Sequence, residues 1–187
     1  MYNTVSLRSI FPAKRLAFTA LFAALCLAAT MLVVVPLPNG YFNTGDVFVL
    51  LAGWCLGPLY GSIAAAVGSA LADICSGFAL YAPATFFIKG LTALLCYYIW
   101  ALVKKCIKKE ALDFLPRLFS AVFAESAMVL GYFLFECILY GVGGAAVALL
   151  GNALQGACCG ALAIAVCAAV YPLKGVRKLF PKLSDHK

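Results

Sequence analysis

Residues Val47 to Ala72 read VFVLLAGWCLGPLYGSIAAAVGSALA, an apolar stretch without one charged side chain. It is long enough to cross a bilayer as a single helix, which takes about 20 residues. Gly57 and Pro58 interrupt it, and proline disfavours helix in the residue before it and removes a backbone donor. The stretch is therefore one crossing or two crossings joined at Gly57 and Pro58, and the rest of the chain must choose.

The basic residues choose two. Of the fourteen lysines and arginines, all except Lys89 lie outside the apolar segments, in three clusters: Arg8, Lys14 and Arg15; Lys104, Lys105, Lys108, Lys109 and Arg117; Lys174, Arg177, Lys178, Lys182 and Lys187. Four further spans are clear, Leu16 to Val35, Pro83 to Val103, Leu118 to Leu139 and Val147 to Tyr171. With one helix over 47–72 there would be five crossings, and the termini would fall on opposite sides. Retention of positive charge in the cytoplasm rejects that arrangement. Six crossings place both termini and the central basic loop on the cytoplasmic side.

The expected fold is thus all-α, an integral membrane six-helix bundle, N-in and C-in. It forms a single domain over residues 1–187, with 1–15 and 174–187 as cytoplasmic basic tails. A chain of 187 residues that is 65% hydrophobic and 11% charged is no soluble domain, where about 25% of residues are charged. The second helix is expected to be short, ~17 Å at 1.5 Å per residue, so flanking residues must extend it or the bilayer must thin. The first span follows Lys14 and Arg15 as a signal peptide would. Its 20 residues exceed the usual apolar region of such a peptide and no small-residue cleavage site follows, so it reads as a retained helix.

Polar groups inside the spans need a partner or a purpose, since a charge there costs at least ~2.5 kcal/mol. Tyr81, Thr85 and Lys89 recur every four residues and share a face of the fourth helix. Glu125, Tyr132 and Glu136 fall within about 40° of arc on the fifth. Asn152 and Gln155 occupy the outer half of the sixth. Lys89, Glu136, Asn152 and Gln155 thus reach comparable depth from three helices, as a pocket open to the outside would require.

The segment Pro36 to Asp46, PLPNGYFNTGD, adds Asn39, Tyr41, Asn43 and Asp46 on that side as a shaped lid. The plainer alternative is that Lys89 pairs with Glu136 only to satisfy two buried charges, with Asn152 and Gln155 bonding between helices. Asp73 is open between ending its helix beside Ser76 and Gly77 and binding a ligand.

Small residues recur at helical spacing: Ala20, Ala24 and Ala28; Gly57, Gly61, Ala65, Gly68 and Ala72; Gly156 and Gly160. Such stripes let helices approach closely in lipid. Internal packing is the reading for the later two sets, whereas Ala20 and Ala24 are open between packing and contact with another protein. The nine cysteines form no CxxC pair and read as apolar fillers.

Several chemistries are absent. There is no GxxxxGK[ST] phosphate loop, no GxSxG, and no histidine except His186, which excludes HExxH and a histidine-based site within the bundle. No catalytic set and no sign of a cofactor or metal is found. The basic clusters flank membrane spans, so anionic lipid explains them better than nucleic acid.

The block from Gly40 to Leu94 resembles the S components of energy-coupling-factor (ECF) transporters, above all the riboflavin-type group, many of whose members are assigned to other substrates. The matching motifs are Gly45–Asp46, LGPLYG from Leu56 to Gly61, SALAD from Ser69 to Asp73 and YAPATFFIKG from Tyr81 to Gly90. The resemblance implies a membrane receptor that takes a vitamin or precursor from outside, in a pocket made by the first outer loop and the last three helices. It then delivers the cargo by toppling, together with a transmembrane coupling subunit and two cytoplasmic ATPase subunits.

It also implies that an alanine pair on the first helix, matched by Ala20 and Ala24 within TALFAAL, contacts the coupling subunit. The expected substrate-binding set is Asn43, Asp46, Tyr81, Lys89, Tyr132, Glu136, Asn152 and Gln155. The expected cargo is riboflavin, a pyridoxine-like pyridine or a hydroxymethylpyrimidine. The rival reading is an autonomous small carrier or channel in which Lys89, Glu125 and Glu136 relay protons.

Overall fold

A computed structural model describes residues 13–37, 40–107 and 112–180. Arg8, Asn39, Lys108, Lys109, Lys182, His186 and Lys187 lie outside the described residues. Helix α1 spans Ala13–Leu32; strands β1 (Val34–Leu37) and β2 (Gly40–Asn43) follow; then come α2 (Gly45–Leu56), α3 (Pro58–Cys75) and α4 (Ala82–Cys106). The helical stretch Phe114–Val170 is broken at Gly141, which gives α5 (114–140) and α6 (142–170). A short α7 spans Lys174–Leu179. Among the described residues the bundle therefore has six main helices. The stretches Ala13–Leu32, Pro58–Cys75, Ala82–Cys106 and Phe114–Val170 are long and apolar enough to cross a membrane.

The break between α2 and α3 falls where the sequence places it. Gly57 takes φ 84° and ψ −174°, a backbone region open to glycine and strained for other residues. Pro58 then starts α3, where its missing N–H costs nothing because the first helical N–H groups have no partner anyway. Helix α2 has 12 residues, too few to span hydrocarbon alone. It does not face lipid: nine of its residues, from Gly45 to Trp54, are buried, and it touches α1, α3, α4 and the 114–170 stretch. Trp54 is wholly enclosed and donates its Nε1–H to Ser120 Oγ at 3.0 Å. Neighbouring helices enclose most of its length.

Two expectations about segment ends are corrected. The first span does not run to Val35 as helix; it stops at Leu32, and Val34–Leu37 pairs antiparallel with Gly40–Asn43, Val34 opposite Asn43 and Val35 opposite Phe42. A run of three valines followed by Pro36 favours extended backbone over helix. The supposed irregular lid is thus a β-hairpin, the one departure from all-α architecture among the described residues.

The second correction concerns the gap expected between Leu139 and Val147. Helix continues to Tyr140, turns at Gly141 (φ 72°) and resumes at once. A Cβ built on Gly156 would meet Glu125, and one on Gly160 would meet Ala121; both pairs straddle Gly141 almost evenly, so α5 and α6 lie antiparallel. Beyond α7, Phe180 packs edge-on against Phe18 at 5.0 Å and Phe22 at 6.0 Å.

The small-residue stripe on α3 is internal, as read. Gly68 lies so close to α1 that an added Cβ would sit 2.3 Å from the Ala23 carbonyl oxygen. Two backbones in contact gain dispersion energy that bulkier side chains would forfeit.

The two ends of the bundle differ in chemistry. At one end Arg15 lies over the Tyr60 ring, Arg117 over Tyr171 and Lys104 over Trp100. There Asp113 ties α4 to α5: Lys104 Nζ is 3.3 Å from its carboxylate and Arg117 makes a direct ion pair with it. Partial burial raises the Asp113 pKa, but the Arg117 and Lys104 charges outweigh burial and leave it below the ordinary carboxylate range. At the other end sit the hairpin, the α3–α4 turn and the α5–α6 turn. The beginning of α1 and Phe180 share the basic end, so both limits of the described chain are on one side.

Candidate functional site

Beneath the hairpin is a polar cavity. It holds about 560 Å³ of atom-free space counting its mouth, of which about 50 Å³ is open to the centre of a water molecule. Its wall comprises Thr30, Tyr41, Asn43, Ser69, Asp73, Phe78, Tyr81, Thr85, Lys89, Tyr132, Glu136, Ala148, Asn152 and Gln155. Seven of the eight residues expected in a binding set are therefore gathered here: Asn43, Tyr81, Lys89, Tyr132, Glu136, Asn152 and Gln155.

The eighth, Asp46, lies just behind the wall. It occupies the first turn of α2, where a carboxylate is favoured by the helix dipole, and it is wholly buried. Lys89 Nζ donates to its Oδ1 at 2.5 Å, and Gln155 Nε2 donates to its Oδ2 at 2.6 Å. Gln155 Oε1 in turn accepts from Asn43 N at 2.9 Å and Asn43 Nδ2 at 3.2 Å. Asn43 Oδ1 accepts from Gly45 N at 2.9 Å, which fixes the entry into α2. One chain of hydrogen bonds thus links the hairpin, α2, α4 and α6.

The plainer alternative, in which Lys89 pairs with Glu136, does not match this geometry. Lys89 is bound to Asp46, and its ammonium also stands 5.2 Å from the Tyr132 ring centre. Glu136 Oε2 has no hydrogen-bond partner among the described residues. The reason is positional: Asp46, the apparent last residue of a loop, is inside a helix packed against α4, with its side chain turned away from water.

Asp73 does not end its helix. The helix end is closed by backbone, with Ser76 N–H donating to the Ala72 carbonyl, while Asp73 Oδ1 accepts from the Tyr41 hydroxyl at 2.7 Å. Its Oδ2 is unpartnered among the described residues. Burial first, and then the Asp73 carboxylate, push the Tyr41 phenol well above its ordinary pKa, so Tyr41 remains a neutral donor. Thr85 and Tyr132 share a hydrogen bond at 3.0 Å, and Tyr81 reaches Tyr140 at 3.3 Å.

Tyr41 lies tilted against Phe78 with ring centres 4.8 Å apart, and Phe78 meets Tyr81 edge-on at 6.3 Å. These rings roof the cavity between the hairpin and the α3–α4 turn. Phe78 and Thr30 carried no signal in the sequence, because single small polar or aromatic residues are common in apolar spans.

Two expected groups stand apart. Glu125 lies on the same stripe as Tyr132 and Glu136, yet it lines a separate apolar cleft between α5 and α6, beside Gly156 and Gly160. Ala20 and Ala24 are exposed on the flank of α1, next to Leu16 and Leu21, which are 49% and 50% exposed. Internal packing accounts for neither alanine.

A family model described as "ECF-type riboflavin transporter, S component" matches residues 11–172. A protein of Pyrococcus woesei, described as "Uncharacterized protein in gap 3'region", is 35% identical over 128 residues, which covers 67% of this chain and 80% of that one.

Proposed function

Because the chain belongs to the ECF-type riboflavin transporter S component family, we propose that the polar cavity under the hairpin is where its cargo binds. The protein is a multi-pass membrane, substrate-binding S component of an ECF-type transporter for a small vitamin-like molecule, and such subunits are non-catalytic. The observation that supports the cavity is the convergence of polar side chains from the hairpin and from α1, α3, α4, α5 and α6 on one void in an otherwise apolar bundle. Groups of this kind are costly in lipid and less so when they face water or a ligand.

The test is to purify the protein in mild detergent and identify co-purifying small molecules by mass spectrometry, followed by thermal shift with vitamins. A bound heterocycle whose stabilising effect is reduced in Tyr81→Ala is the expected result. A protein that arrives empty and responds to no vitamin would defeat the assignment.

ECF transporters generally join such a subunit to coupling and ATPase subunits. In our reading a transmembrane coupling subunit docks on the exposed flank of α1 at Ala20 and Ala24, and two cytoplasmic ATPases drive the cycle. The basic end faces the cytoplasm and the hairpin end faces outside the cell membrane, so cargo enters beneath the hairpin. Support comes from the placement of Arg15, Lys104 and Arg117 at one end, which retention of positive charge makes the inner one.

Two cysteines report on this directly. Cys75 ends α3 beside the cavity mouth and Cys106 ends α4 at the basic end, and both are exposed. A membrane-impermeant maleimide should label Cys75 in intact cells and Cys106 only after permeabilisation; the reverse order would invert the topology.

The rival proton-relay reading has no comparable support. Among the described residues no hydrogen bond links Lys89, Glu125 and Glu136, since Lys89 is engaged by Asp46 and both Glu125 oxygens are unpartnered.

A further inference from the structure

The charge on the cavity wall is not balanced. Among the described residues its one cation, Lys89, is paired with Asp46 at 2.5 Å, which leaves Asp73 and Glu136 facing the void with no ion pair of their own. Both are more than nine-tenths buried, Asp73 at 6% and Glu136 at 2% exposure. Each has an oxygen without a hydrogen-bond partner, Asp73 Oδ2 and Glu136 Oε2. An ionised carboxylate left without a partner in a bilayer is strongly disfavoured, and a bound cation or cluster of N–H donors removes that penalty.

The rings around these carboxylates point the same way. Tyr41, Phe78, Tyr81 and Tyr132 all line the cavity, and aromatic faces carry negative potential that attracts cations and flat electron-poor rings. Lys89 already demonstrates the preference by resting 5.2 Å from the Tyr132 ring centre. The cavity that these rings line holds about 560 Å³ of atom-free space counting its mouth.

We propose that the cargo is a small, flat heterocycle bearing a positive charge or an amino group, held between Asp73 and Glu136 under the aromatic roof. This deepens the reading of the cavity as the cargo site and rests on it. Asp73 accepts from the roof through Tyr41 and from the cargo through Oδ2, so ligand and hairpin share one carboxylate. The Asp46–Lys89 pair serves as neutral scaffolding and contributes no net charge to the ligand.

The experiment uses the full chain in lipid nanodiscs, with calorimetry and thermal shift on probes that differ in charge. Pyridoxamine and pyridoxine share a ring and exchange an ammonium for a hydroxyl; thiamine is a fixed cation; riboflavin is a neutral three-ring compound; nicotinate is an anion. The expected result is that pyridoxamine or thiamine binds at least about tenfold more tightly than pyridoxine, riboflavin or nicotinate, or ~1.4 kcal/mol. Glu136→Gln and Asp73→Asn should each weaken pyridoxamine and thiamine about tenfold, ~1.4 kcal/mol, and so erase most of the difference between them and pyridoxine.

These changes keep side-chain shape, and if one variant fails to fold the other carries the test. Tightest binding by riboflavin or nicotinate would overturn the charge assignment yet leave the cavity as the cargo site. Cation binding that survives both substitutions would overturn it as well. Silence from every probe would remove both this inference and the receptor reading beneath it.

Discussion

Asp46→Asn should unfold at a markedly lower temperature than the parent, with a loss of about 3–5 kcal/mol, the range found when one member of a buried ion pair is removed. The loss comes from Lys89, whose side chain is buried, with 4% of the residue exposed, and which would keep its charge with no carboxylate to receive it. The substituted amide has one acceptor oxygen where the carboxylate has two, so it can receive from Gln155 Nε2 or from Lys89 Nζ but not from both, and the loss combines the charge with one hydrogen bond. Adding Lys89→Met should restore most of the lost stability, since an uncharged pair of similar size is often as stable as a buried ion pair.

The measurement is a double-mutant cycle in detergent, read by the thermal midpoint and by denaturant. Simple additivity of the two single changes, within about 0.5 kcal/mol, would mean that the two side chains do not act as a pair. Strong coupling would identify Asp46 as the counter-ion that permits a lysine inside α4.

The joint substitution Ala20→Trp with Ala24→Trp should reduce uptake in cells to background while ligand binding by the purified protein stays within about twofold, well under the ~1.4 kcal/mol that a tenfold change represents. Helices associate in lipid through close packing of small residues, because lipid tails offer no hydrophobic drive for association. Two indoles on one face would hold a partner helix away. Both alanines are exposed on the side of α1 opposite Phe22 and Cys26, which are buried against the bundle, so the added rings meet nothing within the protein. A large fall in thermal midpoint, or loss of ligand binding, would place them in internal packing and move the coupling surface elsewhere.

What sequence order could reveal follows from the range of each interaction. Gly57 and Pro58 act on their own backbone, and the break between α2 and α3 is legible for that reason. The stripe Tyr81, Thr85, Lys89 and the pair Asn152, Gln155 are matters of helical phase, and they do share the cavity wall. Gly141 was harder to read: it carries the whole α5–α6 turn in one residue, without the proline or polar cluster that advertises a turn. The hairpin hid for a related reason, since Val33 to Pro36 continues an apolar run and hydrophobicity alone does not separate helix from strand.

The partners were another matter. Lys89 had carboxylates available at Asp46, Glu125 and Glu136, and periodicity placed the last two on one face of the fifth helix, with only Glu136 at the depth of Lys89. Asp46 won because α2 is drawn into the middle of the bundle, which carries its first turn against α4. Glu125 shares an arc with Glu136 but meets Gly156 in the α5–α6 contact, so a difference of depth separated them. Asp73 joined the site because Tyr41, 32 residues away, comes over it when the hairpin closes.

By itself the sequence determined a polytopic membrane bundle of six helices, with its polar residues on facing sides. Those properties depend on hydropathy, charge distribution and local backbone preference, all written in neighbouring residues. Only tertiary structure decided that Asp46 neutralises Lys89 and that Asp73 and Glu136 are left facing the void. Ion pairing inside a bilayer is settled by which side chains come within ~3 Å of each other, and that depends on how the helices stack.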